Sequence, residues 1–141
     1  MPSHVTVLIV EDDPSTQGLL VAIVNHLGLD ARAADDGGAA LSMIAAARPD
    51  VIVLDLVMPR VDGFEVLRQL RRGFPDLLAR TIVVTAASIR DMGDYPDLHL
   101  VWKFLRKPLD IDQLGTAILG CLGQSSKKAG RDSAYETPPR P

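Results

Sequence analysis

The sequence predicts an α/β fold: one doubly wound parallel sheet with helices on both faces. Three observations carry that expectation. The runs "VTVLIV" (5–10), "VIVLD" (51–55) and "TIVVT" (81–85) are apolar and β-branched without alternation, the mark of strands buried on both faces. Segments with helical spacing of apolar residues lie between them. Strand and helix signals alternate along the chain, an order that implies right-handed crossovers and parallel strands.

After the first strand, Asp13 stands where an N-cap belongs and Pro14 where the first helical residue belongs. Leu20, Ile23, Val24 and Leu27 give the helical stripe, and Gly28 stops it. A short, weak strand fits Asp30–Ala34. The stretch "GGAALSMIAAAR" reads as a helix with a small-residue face, broken at Pro49-Asp50. Beyond "VIVLD" a loop leads to a helix capped by Asp62, with Glu65 three residues on in a capping-box pattern. Leu67 and Leu70 face its core side and Gly73 closes it. "TIVVT" follows. "LVWKFLRKP" (100–108) is a further strand, and a last amphipathic helix spans about Ile111–Leu122.

The chain has 141 residues, of which 47% are apolar, enough for one domain with a real core. A net charge of −3 gives no reason to expect direct nucleic-acid binding. One cysteine, Cys121, fits a reducing compartment. No signal pattern opens the chain and no apolar run reaches membrane-spanning length. The expectation is a cytoplasmic protein without a membrane partner. The Pro-rich polar end is expected to be a disordered tail over 123–141, following a folded unit at 4–122.

Strand ends carry the chemistry. Glu11 and Asp12 follow the first strand, Asp55 ends the third, Thr85 the fourth and Lys107 the fifth. In such sheets ligands bind beyond the carboxyl ends of the strands, where strand order reverses. Three carboxylates gathered there repel one another, and a divalent cation removes that cost. An all-oxygen set suits Mg²⁺ better than zinc; His4, His26 and His99 have no ligand spacing. Ammonium, hydroxyl and cation together make a receptor for a phosphoryl group, which a carboxylate can accept. Singly, each residue has a plainer reading: an acid opening a loop, a strand-end hydroxyl, a solvated lysine. The plain readings must all hold at once, on one rim.

The pieces "VLIVEDD", "VIVLDLVMPRVDG", "TIVVTA" and "FLRKP", in that order, resemble the receiver domain of bacterial two-component response regulators. The resemblance covers about 4–122. It implies a five-stranded flavodoxin-like sheet of order 2-1-3-4-5. It makes Asp55 the phosphoacceptor, Asp12 a direct Mg²⁺ ligand, Glu11 its water-mediated neighbour and the Val57 carbonyl a further ligand. It makes Thr85 the switch hydroxyl, Lys107 the phosphoryl-pairing lysine in a cis Lys107–Pro108 motif, and Phe104 the aromatic switch. Asp13 is then the helix cap; a register pairing Asp12 with Asp13 stays open. The implied donor is a histidine kinase or histidine phosphotransfer protein, and the output is altered binding to a downstream protein. Two other readings compete. One is a Mg²⁺-dependent phosphohydrolase with an aspartyl nucleophile; Val57 sits where such enzymes carry a second acid. The other is a binding module of this fold that is not phosphorylated.

One segment departs from the pattern. "SIRDMGDYPDLH" (88–99) contains Gly93 and Pro96 and makes a poor helix where the family places one. About two turns are expected at Ser88–Tyr95, then irregular chain.

Overall fold

A computed structural model describes residues 5–58, 61–86 and 96–126. In chain order the elements are β1 (Thr6–Val10), α1 (Pro14–His26), β2 (Asp30–Ala34), α2 (Gly37–Ala46), β3 (Val51–Leu54) and α3 (Gly63–Gly73). There follow a one-turn α4 (Pro75–Leu78), β4 (Thr81–Thr85), a 3₁₀ turn at Pro96–His99, β5 (Lys103–Arg106) and α5 (Ile111–Ser126). Among the described residues the sheet has five strands in the order β2-β1-β3-β4-β5, and every pairing is parallel.

Successive strand side chains point to opposite faces, and both faces are covered. Leu8, Val10, Ile52, Leu54 and Val83 meet Ile44 of α2, Leu67 and Leu70 of α3, and Leu77 and Leu78 of α4. Val7, Ile9, Val51, Val53, Ile82 and Val84 meet Leu20, Ile23 and Val24 of α1, and Leu114, Ile118 and Cys121 of α5. This is why β1, β3 and β4 lack alternation: every residue in them is buried. Cys121 is one of the small apolar fillers, and burial pushes its thiol up to about 11.

The caps form as the sequence implies. The Asp13 carboxylate accepts the Thr16 N–H at 2.8 Å, with Pro14 opening α1; Gly28, at φ 82°, supplies the left-handed turn beyond its end. Asp62 accepts the Glu65 N–H at 3.0 Å. The Glu65 carboxylate turns along the helix to Arg68 and Gln69.

Two boundaries need correction, and one element goes beyond the sequence reading. The strand expected over 100–108 is limited to Lys103–Arg106. Trp102 ahead of it is a packing anchor: its backbone N–H donates to Thr81 O at 2.8 Å and its indole N–H to Ala117 O at 3.0 Å. α5 runs on to Ser126, so the expected change from folded unit to tail at 122/123 falls inside a helix; residues 127–141 lie outside the described residues. α4 was not expected. Its signal was Pro75 at the first helical position, with Leu77 and Leu78 buried behind it. The helix expected at Ser88–Tyr95 lies outside the described residues. The Lys107–Pro108 bond is cis.

The far end of the sheet is tied by Asp50. Its carboxylate accepts the Thr6 N–H at 2.9 Å, and its own N–H donates to Thr6 O at 2.8 Å. This reciprocal pair fixes the β1–β3 register.

Because Leu67 is 1% exposed between α3 and the sheet, Leu67→Ala is expected to cost about 2–5 kcal/mol in urea denaturation. Leu119→Ala, at a site 49% exposed, should cost less than about 0.5 kcal/mol. Equal losses would contradict the layer assignment.

Candidate functional site

Backbone hydrogen bonds carry the sheet one residue past its strand ends, and those residues form the site. Val10 lies beside Leu54, and the Asp55 N–H donates to Val10 O at 3.0 Å. The Glu11 N–H donates to Ala34 O at 3.1 Å. Across the sheet Thr85 pairs with Arg106, and the Lys107 N–H donates to Thr85 O at 2.9 Å. The main chain therefore sets where the three charged side chains begin.

The side chains then converge. Oxygens of Glu11, Asp12 and Asp55 lie within 4.8 Å of one another. Glu11 is 1% exposed and Asp55 5%, whereas Asp12 is exposed. Lys107 Nζ donates to Glu11 Oε1 at 3.1 Å and reaches Asp55 Oδ2 at 3.5 Å. The second Glu11 oxygen accepts the Asp13 N–H at 3.1 Å, and Asp55 Oδ1 accepts the Val57 N–H at 3.2 Å. Thr85 is fully buried at the adjoining strand end. The Val57 side chain is 61% exposed, so its backbone is what the loop presents to Asp55. Asp13 does not join the cluster: its carboxylate is taken up by Thr16, through both N–H and hydroxyl. Glu11 and Asp12 are thus the acidic pair beside Asp55. Phe104 is half-buried against the α2–α3 side of the core.

Burial is the main force on Asp55, raising its pKa; the negative charge of Glu11 adds to this, and Lys107 with the Val57 N–H opposes it. Burial alone would depress Lys107. Its hydrogen bond to Glu11 and the attraction of both carboxylates outweigh that, so its pKa stands above the usual lysine value. The donors are hard oxygens, a set that fits a small divalent cation.

Two supports were not legible in the sequence. Gly63, the first residue of α3, lies directly against the acceptor strand. A Cβ there would overlap the Asp55 carbonyl oxygen and stand 2.5 Å from Leu56 Cα; its N–H donates to Leu56 O at 3.0 Å. Close approach of two backbones is the reason for a glycine here. Gln17 of α1 donates its side-chain amide to Glu11 O at 2.8 Å and to Asp35 Oδ1 at 2.9 Å, bridging the ends of β1 and β2. A glutamine four residues after the cap gives no hint of that.

The sequence matches the family described as response regulator receiver domain over residues 7–119. It is 36% identical over 136 residues to "Response regulator MprA" of Mycobacterium sp. (strain KMS), covering 92% of this chain and 55% of that protein. It is 32% identical over 129 residues to "Transcriptional regulatory protein TrcR" of Mycobacterium tuberculosis, covering 88% and 48%. The chain thus spans about half the length of these curated relatives. In structure it is similar to a CheY-like receiver domain protein from Methanospirillum hungatei, with TM-score 0.81 and 21% identity, covering 89% and 99%; this shows the fold alone. It is also similar to response regulator TrrA from Thermotoga maritima, solved in complex with Mg(2+)-BeF, with TM-score 0.74 and 26% identity, covering 82% and 97%.

A raised carboxyl pKa means that ionising Asp55 costs the folded state. That cost is absent below the unfolded-state value, about 3.9, and complete above the raised folded value. In metal-free protein Asp55→Asn is therefore expected to raise the melting temperature at pH 7, with the gain shrinking as pH falls toward the unfolded value. A lowered melting temperature at pH 7 would contradict the electrostatics described.

Proposed function

Because the chain belongs to the response regulator receiver family, we propose that it is a phosphorelay response regulator that accepts a phosphoryl group on Asp55 from a histidine kinase or histidine phosphotransfer protein. The single observation that carries this is the convergence of Glu11, Asp12 and Asp55 within 4.8 Å, with the Lys107 ammonium against two of them. As a receiver domain the chain is a signalling switch. That it catalyses its own phosphorylation and dephosphorylation is part of the proposal.

The chemistry follows from the side chains. An ionised Asp55 oxygen attacks the donor phosphorus. The new P–O bond forms as the donor P–N bond breaks, and that electron pair leaves on the imidazole nitrogen, which takes a proton from solvent. Burial and Glu11 oppose ionisation of Asp55. Lys107, 3.5 Å away, and the Val57 N–H at 3.2 Å favour it. The ammonium is also placed to offset charge on the arriving phosphoryl oxygens. Glu11, Asp12, Asp55 and the Val57 carbonyl would hold Mg²⁺; when bound it supplies positive charge to the carboxylates and the phosphoryl group. The Mg(2+)-BeF complex of TrrA supports that cation here. Thr85, tied by its backbone to Lys107, is the hydroxyl that would turn toward the new phosphoryl group, and Phe104 the aromatic that would follow. The altered surface then changes affinity for a downstream protein. The apolar, exposed Val57 offers no second acid of the kind a phosphohydrolase uses.

Acetyl phosphate with Mg²⁺ is expected to add one phosphoryl group, read by intact-protein mass. Chelating Mg²⁺ with EDTA should abolish the gain, as should Asp55→Asn. Lys107→Ala should slow it on the order of 10²-fold, the usual consequence of removing one charge-stabilising donor. A gain that survives Asp55→Asn would refute the assignment.

A further inference from the structure

The loop between β3 and α3 carries Asp55 at one end and Val61 at the other, and each end is held by a glycine. Gly63 lets α3 lie on the Asp55 carbonyl. Gly37 does the same at the far end, from a helix outside the site. As the first residue of α2, it donates its N–H to Val61 O at 3.0 Å. A Cβ on Gly37 would overlap that carbonyl oxygen and stand 2.8 Å from Val61 Cγ1 and 2.9 Å from Val66 Cγ2. Carbon atoms pack best at about 3.5–4.0 Å, so a methyl group has no place there. Val66 is fully buried on α3, so any shift it makes disturbs the packing around it. The next residue is different. A Cβ on Gly38 would meet only Asp36 Oδ1 at 3.4 Å and Val61 Cγ2 at 3.9 Å. Of these two neighbouring glycines, only Gly37 is crowded. α2 in turn is seated by its cap, the Asp36 carboxylate accepting the Ala39 N–H at 2.8 Å.

We propose that Gly37 is a positioning residue for the acceptor loop: its bare Cα lets the start of α2 bear on the Val61 carbonyl, and this sets where Asp55 and the Val57 carbonyl stand. The proposal rests on the reading of Asp55 as a Mg²⁺-dependent phosphoacceptor. Were Gly37 there by chance, Gly37→Ala would be harmless, since alanine is the better helix former.

The test compares wild type, Gly37→Ala and Gly38→Ala in three measurements: thermal melting, Mg²⁺ affinity by calorimetry, and phosphorylation by acetyl phosphate at saturating Mg²⁺. Gly37→Ala is expected to melt cooperatively yet bind Mg²⁺ about tenfold more weakly, the scale of losing an outer support of a metal site, and to phosphorylate more slowly. Gly38→Ala, whose Cβ makes ordinary contacts, should keep both quantities within about twofold of wild type. Wild-type affinity and rate in a folded Gly37→Ala protein would overturn the proposal, as would an equal loss in Gly38→Ala. If Gly37→Ala does not fold, Asp36→Ala and Asp36→Asn decide. Both remove the same charge, but only alanine removes the cap, so the alanine variant should bind Mg²⁺ more weakly; equal affinities would overturn the proposal. A wild-type protein that gains no phosphoryl group would overturn the functional reading itself, and the positioning role with it.

Discussion

Lys107 carries its ammonium across the top of the sheet to Glu11 and Asp55, and the site depends on that reach. β1 and β5 are three strand spacings apart in the order β2-β1-β3-β4-β5, roughly 14 Å at about 4.8 Å per spacing. The gap closes only because lysine and glutamate are long and both begin one residue past their strands. An aspartate at position 11 would start about 1.5 Å short. Two almost fully buried carboxylates side by side would otherwise be costly. The ammonium offsets part of that cost while leaving the outer, exposed Asp12 to complete an oxygen cluster.

That convergence is set by backbone before any side chain acts. The hydrogen bonds Asp55 N–H to Val10 O and Lys107 N–H to Thr85 O continue the ladders beyond the regular strands. The β1–β3 register they rely on is fixed at the opposite end by the exchange between Thr6 and Asp50. A slip of one residue would turn every side chain to the other face and send Asp55 into the apolar layer under α2 and α3. The acids at one end and Asp50 at the other are thus parts of one constraint, although 44 residues separate Thr6 from Asp50.

What was legible in the sequence was what each segment does by itself. β1, β3 and β4 announce themselves because burial on both faces forbids polar residues, and Asp13 and Asp62 because a cap acts within three residues. The acids and the lysine were legible because strand ends of a parallel sheet share a rim. The edge strand β5 was drawn too long, since Leu100–Trp102 is as apolar as a strand yet packs as a lead-in, Trp102 against α5. Gln17, Gly37 and the close approach of Gly63 were beyond reach for one reason. Each is defined by a contact with chain distant in sequence, and nothing local distinguishes Gly37 from Gly38, though only one has room for a methyl group.

The metal-free site is held in a tension that suits a switch. Three carboxylates against one ammonium leave it formally negative, and burial makes Asp55 resist ionisation while Lys107 supports it. Burial and the Glu11 charge raise the Asp55 pKa, and Lys107 with the Val57 N–H works against that rise. On the proposed reading, phosphorylation would turn the Asp55 carboxylate into an acyl phosphate and bring phosphoryl oxygens toward the ammonium that now faces it. Lys107 would then have to choose between Glu11, 3.1 Å away, and the new anion. Its backbone N–H is bonded to Thr85 O, so the ammonium and the Thr85 hydroxyl stand on adjoining strand ends beside the acceptor.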